Sequence, residues 1–155
     1  MIVIQMMIFD VDGVFTDGKF IYDERGKKYK SFGAHDADGI NLLKNSGIIV
    51  QAITADKRGY SITEKRMHDM NIPLNLVSEN ERNQYICNLG TPHSICFMGD
   101  GHYDAQIFKN IGYSIAPANA VEIAKKNAKF VTKSKGGNGA VYEACLHVLE
   151  KTGKL

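Results

Sequence analysis

The sequence predicts an α/β protein built on a parallel β-sheet flanked by helices. Short runs rich in valine and isoleucine alternate with longer segments of helical periodicity, the order that βα units impose. Two of the apolar runs break off into acidic, glycine-bearing loops, Asp10-Val11-Asp12-Gly13 and Gly99-Asp100-Gly101. In open parallel sheets ligands gather at the carboxyl ends of the strands, so these two loops and a third after Ile53 are expected to share one crevice. A chain of 155 residues closes a sizeable core and fits one domain, residues 1–155, and we find no repeat, low-complexity tract or linker in it.

The first core strand is expected over residues 3–9. Two alternating runs, 19–22 and 28–32, flank the turn-forming cluster Asp23-Glu24-Arg25-Gly26 and predict a β-hairpin over about 19–32 that projects beyond the sheet. A helix over 37–45 stops at Ser46-Gly47, where glycine supplies the left-handed ending, and a second core strand follows over 48–53. The next helix, 59–70, has Ile62, Arg66 and Met70 at helical spacing and ends before Asn71-Ile72-Pro73. After it come a short strand at 74–77, a helix at 81–89, and a strand at 94–98 that ends in the second acidic loop. A helix at 103–110, a strand at 113–115, a helix at 120–127, a strand at 130–131 and a helix at 140–151 complete the chain.

Composition narrows the function. A formal net charge of +2, with basic residues in small groups such as Lys27-Lys28 and Lys125-Lys126, argues against a nucleic-acid binder, and such pairs are ordinarily solvated faces. Cys87, Cys96 and Cys145 lack metal or redox spacing and read as small hydrophobes in a reducing compartment. The apolar start has no basic residues ahead of it and no small-residue cleavage site, and no later run approaches membrane-spanning length; a soluble, cytoplasmic protein without a membrane partner is expected.

Unneutralised carboxylates at a strand end repel one another unless a cation sits between them. Asp10, Asp12, Asp100 and Asp104 offer hard oxygen donors with little histidine and no cysteine nearby, which suits Mg2+ shared with a phosphate rather than zinc. Asp10 can then attack phosphorus, and Asp12 can protonate the leaving oxygen. Thr54 at a strand end and Arg82 at a helix start are candidates for holding phosphate oxygens. Taken singly, Thr54 is an ordinary strand-end residue and Arg82 an exposed helix charge. Asp104 serves either the metal site or the cap of its helix. His102 is left out of catalysis, and Asp17-Gly18 serve mainly to turn the chain. Gly136 and Gly137 are either a flexible turn or a pair that brings amides close to a substrate anion. Phe20, Tyr22, Tyr29 and Phe32 alternate on the hairpin and call for a partner surface.

These residues together resemble the haloacid dehalogenase superfamily along nearly the full chain. Asp10-Val11-Asp12-Gly13-Val14, Ile53-Thr54, Arg82 and Gly99-Asp100-Gly101-His102-Tyr103-Asp104 stand in the order of its four motifs. The resemblance implies a Rossmann-like fold, Asp10 as nucleophile and Asp12 as acid/base. It also implies a magnesium site made by the side chains of Asp10 and Asp100 and the backbone carbonyl of Asp12, with Asp104 in support. The run Phe15-Thr16-Asp17-Gly18, the hairpin, the lack of an inserted cap and the tail 135–141 narrow it further. They resemble the capless phosphatases of 3-deoxy-D-manno-octulosonate 8-phosphate and of nine-carbon keto-sugar-acid phosphates. That group implies a homotetramer in which hairpins pack together and the glycine-rich tail reaches a neighbour's site. The chain departs from the group's pattern at Ala55-Asp56, Arg82, Gly101 and Tyr142. These departures motivate an alternative, a catalytically weak oligomer that serves as a binding or scaffolding module.

Overall fold

The computed structural model describes residues 1–155. In chain order it contains strand β1 (Met6–Asp10), hairpin strands β2 (Ile21–Asp23) and β3 (Gly26–Tyr29), helix α1 (Asp36–Asn45), β4 (Ile49–Thr54) and α2 (Tyr60–Asp69). Then follow β5 (Leu74–Leu76), α3 (Glu79–Cys87), β6 (Ile95–Met98), α4 (Asp104–Ile107), β7 (Tyr113–Ala116), α5 (Glu122–Asn127), β8 (Phe130–Val131) and α6 (Ala140–Lys151). Six strands form one sheet in the order β5-β4-β1-β6-β7-β8, and every neighbouring pair is parallel. The sheet is flanked by helices as predicted, and no cap domain interrupts the series.

Alternation along the central strands divides the core between the two faces of the sheet. Met7 and Phe9 of β1, Val50 and Ala52 of β4, and Cys96 and Met98 of β6 pack with Ile40 and Leu43 of α1, Met67 of α2 and Val148 of α6. On the other face Ile8, Ile53, Ile95 and Phe97 pack with Ile86 of α3, Ile107 of α4 and Ala124 of α5. The middle strand β1 therefore has no polar face before Asp10. Its carboxylate follows at the carboxyl end of the strand, still buried.

Several boundaries move for physical reasons. The first strand begins at Met6 rather than Val3, which is exposed. Helix α2 buries Thr63 and Met67 instead of the expected Ile62 and Arg66 stripe. Helix α3 starts at Glu79, with Ser78 Oγ hydrogen-bonded to Glu81 Oε2 at 2.8 Å, so Arg82 lies one turn inside it. A 3-10 turn, Pro92–Ser94, precedes β6, helix α4 is only four residues long, and α5 begins at Glu122. The hairpin strands are shorter than expected, and Phe32 packs against the core rather than pointing outward. Two of the three cysteines are buried and Cys87 is half-buried; all are free thiols. No helix is long and apolar enough to cross a membrane.

Candidate active site

The ends of β1, β4 and β6 and the starts of α3 and α4 enclose a cavity of about 380 Å³. Its wall includes Asp10, Asp12, Asp56, Arg82, Asp100 and Asp104, so the three loops expected to converge do so. Turn bonds set the first loop: the Val14 and Phe15 N–H groups donate to the Val11 carbonyl, and Thr16 Oγ1 accepts from the N–H groups of Gly13 and Gly18. The Phe15 ring packs edge-on against Phe9, 5.3 Å between centroids, which anchors the loop to the strand that carries Asp10. Gly13, at φ +86°, admits no side chain, because a Cβ there would overlap the Asp100 carboxylate.

On the α3–α4 side, carboxylate oxygens of Asp10, Asp100 and Asp104 lie within 4.8 Å of one another. Arg82 reaches Asp104 Oδ1 at 2.8 Å and Asp10 Oδ1 at 3.3 Å, and Asp104 Oδ2 accepts from the Gly101 N–H at 2.9 Å. Arg82 is thus a buried charge rather than an exposed one, and its guanidinium is pushed to still higher pKa against the pull of burial by Asp10 and Asp104. Asp104 both braces the loop before its helix and belongs to the acidic cluster.

Burial, followed by repulsion from Asp104 and Asp100 against the attraction of Arg82, raises the Asp10 carboxyl well above its ordinary value. Burial first, with Asp104 adding to it, pushes Asp100 up to about 6. Three carboxylates facing one guanidinium leave a formal charge of −2, and the donors are all hard oxygens, the set that suits a divalent cation. The residues present therefore fit Mg2+.

On the opposite side, Asp12 turns away from that cluster. Its Oδ1 lies 2.8 Å from Lys30 Nζ, which also meets Asp56 Oδ2 at 2.9 Å and donates to Thr63 Oγ1 at 2.8 Å. Lys27 Nζ lies 2.7 Å from Asp56 Oδ1 and 3.7 Å from the centre of the Phe20 ring, which lines the cavity. The Lys27 and Lys30 side chains are 8% and 0% exposed, which overturns the expectation of solvated basic pairs for Lys27. Burial works to raise the Asp56 pKa, but Lys27, Lys30 and the Gly59 N–H outweigh it and hold the group at about 2. The hairpin is consequently latched onto the start of α2 and the cavity rim, while its outer face projects.

The remaining candidates stand as follows. Thr54 is buried at the end of β4 behind the cavity wall, and its Oγ1 accepts from the Asp56 N–H at 3.2 Å. It fixes the turn that brings Ala55 and Asp56 to the wall. Gly136 and Gly137 do not line the cavity; they pack against their own chain's catalytic loop. A Cβ on Gly136 would overlap the Gly13 carbonyl, and the Gly136 N–H donates to Asn119 Oδ1, whose own Nδ2 donates to Gly13 at 2.9 Å. The tail therefore buttresses the loop from behind in its own subunit. Asp17 Oδ1 accepts from the Lys19 N–H, the turn role expected for it. His102 does line the cavity. Reading from the sequence missed Lys27, Lys30, Asp56 and Phe20; the single available signal was that Asp56 replaces the expected residue directly after the Thr54 strand end.

The sequence profile of the haloacid dehalogenase-like hydrolases matches residues 83–144. The 3-deoxy-D-manno-octulosonate 8-phosphate phosphatase KdsC of Yersinia pestis is 31% identical over 157 residues, covering 98% of this chain and 83% of that protein. Its Haemophilus influenzae counterpart is 32% identical over 97% of this chain and 86% of its own length. The crystal structure of the Yersinia pestis phosphatase matches with a TM-score of 0.86 over 98% of this chain and 84% of that one. The Moraxella catarrhalis phosphatase, solved in complex with magnesium ion, phosphate ion and KDO, matches with a TM-score of 0.88 at 27% identity, over 97% and 88% of the two chains. With the sheet order, the acidic loops and this end-to-end likeness in hand, the chain belongs to the haloacid dehalogenase-like hydrolases and, within them, to the family of 3-deoxy-D-manno-octulosonate 8-phosphate phosphatases.

Proposed function

We propose that this protein is a magnesium-dependent phosphomonoesterase that hydrolyses the phosphate ester of an eight- or nine-carbon keto-sugar acid through an aspartyl-phosphate. The observation that carries the reading is the division of charge around one cavity: an acidic cluster of formal charge −2 holding Asp10, and a separate carboxylate, Asp12, two residues along the same loop. When bound at Asp10, Asp100 and Asp104, Mg2+ supplies positive charge against the phosphate oxygens and keeps Asp10 ionised. Asp12 is assigned to the metal only through its backbone carbonyl, since its side chain faces Lys30.

Asp10 attacks phosphorus, the bond to the sugar oxygen breaks, and a proton from Asp12 goes to that oxygen. Asp12, now a carboxylate, takes a proton from the water that cleaves the acyl phosphate, which returns Asp10 and releases phosphate. Arg82 is the cation facing the phosphoryl group, and Thr54 serves it from behind by fixing the Ala55–Asp56 turn. The eight-carbon substrate is favoured by the relatives' names; the nine-carbon acids share the same ester and carboxylate chemistry.

The test is phosphate release from a panel of keto-sugar-acid phosphates and ordinary sugar phosphates, with magnesium and with chelator. Turnover of an eight- or nine-carbon acid phosphate well above the others, abolished by chelator, is the expected result. Equal turnover across the panel overturns the substrate, and full activity in Asp10→Asn overturns the mechanism.

We also infer a cytoplasmic homotetramer assembled through the hairpins. Ile21, Tyr22 and Tyr29 stand 58%, 57% and 59% exposed on β2 and β3, an apolar surface on an element too small to need it for its own folding. Sedimentation of the wild type against Tyr22→Ser/Tyr29→Ser is the check. A monomeric wild type refutes the assembly, and an unchanged mass in the double variant refutes the hairpin as its seat.

A further inference from the structure

A fully buried ammonium group is costly unless its charge and its hydrogen atoms are all answered. Lys30 is such a group, and its three partners come from three different parts of the chain: Asp12 of the catalytic loop, Asp56 after β4, and Thr63 inside α2. Its Nζ donates a hydrogen bond to Thr63 Oγ1 and stands in ion pairs with the two carboxylates, so it is held from three directions. Its stem comes from the residue directly after β3, which makes the hairpin the element that determines where Nζ sits. Lys30 meets Asp12 through Oδ1, and Asp12 lines the cavity while standing outside the Asp10–Asp100–Asp104 cluster.

We propose that Lys30 is a positioning residue that aims Asp12 at the leaving-group oxygen, so that the hairpin, and not an inserted cap, sets proton delivery. Proton transfer in the transition state depends on the donor being placed to within a fraction of an ångström, and a carboxylate on a loop has two side-chain torsions to lose. The lysine removes that freedom without touching the phosphate. Thr63, buried and outside the cavity, is part of the same device because it accepts the hydrogen bond that Nζ donates.

The inference rests on the phosphatase reading above, and the experiment separates the two. Full-length protein with magnesium is assayed on an alkyl phosphate ester and on p-nitrophenyl phosphate, whose phenolate departs without a proton. Wild-type turnover of both tests the phosphatase reading alone. In Lys30→Met the ratio of kcat/KM for the alkyl ester to that for the aryl ester should fall by about tenfold or more, and Lys30→Arg should recover part of it. Thr63→Val, which removes one hydrogen-bond acceptor far from substrate, should move the ratio the same way by about threefold. A purely structural lysine lowers both substrates together, and that result, or an unchanged ratio, overturns the proposal. Should Lys30→Met not fold, as read by circular dichroism, the ratio in Thr63→Val decides alone.

Discussion

Two charge clusters face each other across the cavity, and they are balanced differently. Asp10, Asp100 and Asp104 on the α3–α4 side have one guanidinium between them, whereas Asp12 and Asp56 on the hairpin side have two ammonium groups, Lys27 and Lys30. The excess on the first side is visible in the chemistry: Asp10 and Asp100 are pushed up, while Asp56 is held at about 2. An unbalanced cluster is a site that awaits a cation, and a balanced one is a latch. The difference explains how a domain with no cap keeps a binding half and a positioning half within one small cavity.

The strongest test of the unbalanced half is Asp10→Asn. Loss of the nucleophile should lower phosphate release by about a thousandfold or more, with the fold intact by circular dichroism. Next, Arg82→Met removes the one cation of that cluster and leaves its three carboxylates unanswered. It should destabilise the magnesium-free protein by about 3 kcal/mol in urea titration, and added magnesium should raise its melting temperature more than that of the wild type. Lys27→Met on the balanced half should cost less, about 1 kcal/mol, because Asp56 keeps Lys30. A larger loss for Lys27→Met than for Arg82→Met would abolish the distinction between the two halves.

The smallest expected effect lies away from the cavity, at Asp36. Burial, against the pull of Arg66 and His35, raises its carboxyl from 3.8 to about 7. A carboxyl raised on folding binds its proton more tightly in the folded state. Stability is therefore undiminished below about pH 4, falls as pH rises, and carries the full penalty above about pH 7. Asp36→Asn removes the penalty, so its melting temperature should exceed that of the wild type by about 3 °C or more at pH 8 and match it at pH 4. An equal shift at both values would place the effect in packing instead.

The parts legible in the sequence are those whose signal is local. An apolar run ending at Asp10-Val11-Asp12-Gly13 declares both a core strand and what sits at its end, and α6 was found at Ala140–Lys151 because its apolar stripe continues unbroken. The acidic loop at Gly99–Asp104 was legible in the same way. Lys30 was not, because a lysine in an alternating hairpin has the pattern of a solvated face, and only the fold of the hairpin onto α2 puts Asp12, Asp56 and Thr63 around it. The packing of Gly136 against the Gly13 carbonyl was not legible for the converse reason. Glycines that approach a backbone closely look alike in sequence whether the backbone or an anion is what they approach.

By itself, the sequence determined the parallel sheet, the strand-end carboxylates and the reaction class, since hydrophobic periodicity and the spacing of acidic loops are properties of neighbouring residues. Tertiary structure alone decided which carboxylate has which partner. Arg82 stands between Asp10 and Asp104, and Lys30 between Asp12 and Asp56, across separations of tens of residues. Charges act through space over a few ångströms, and proximity of that kind exists only once the chain has folded.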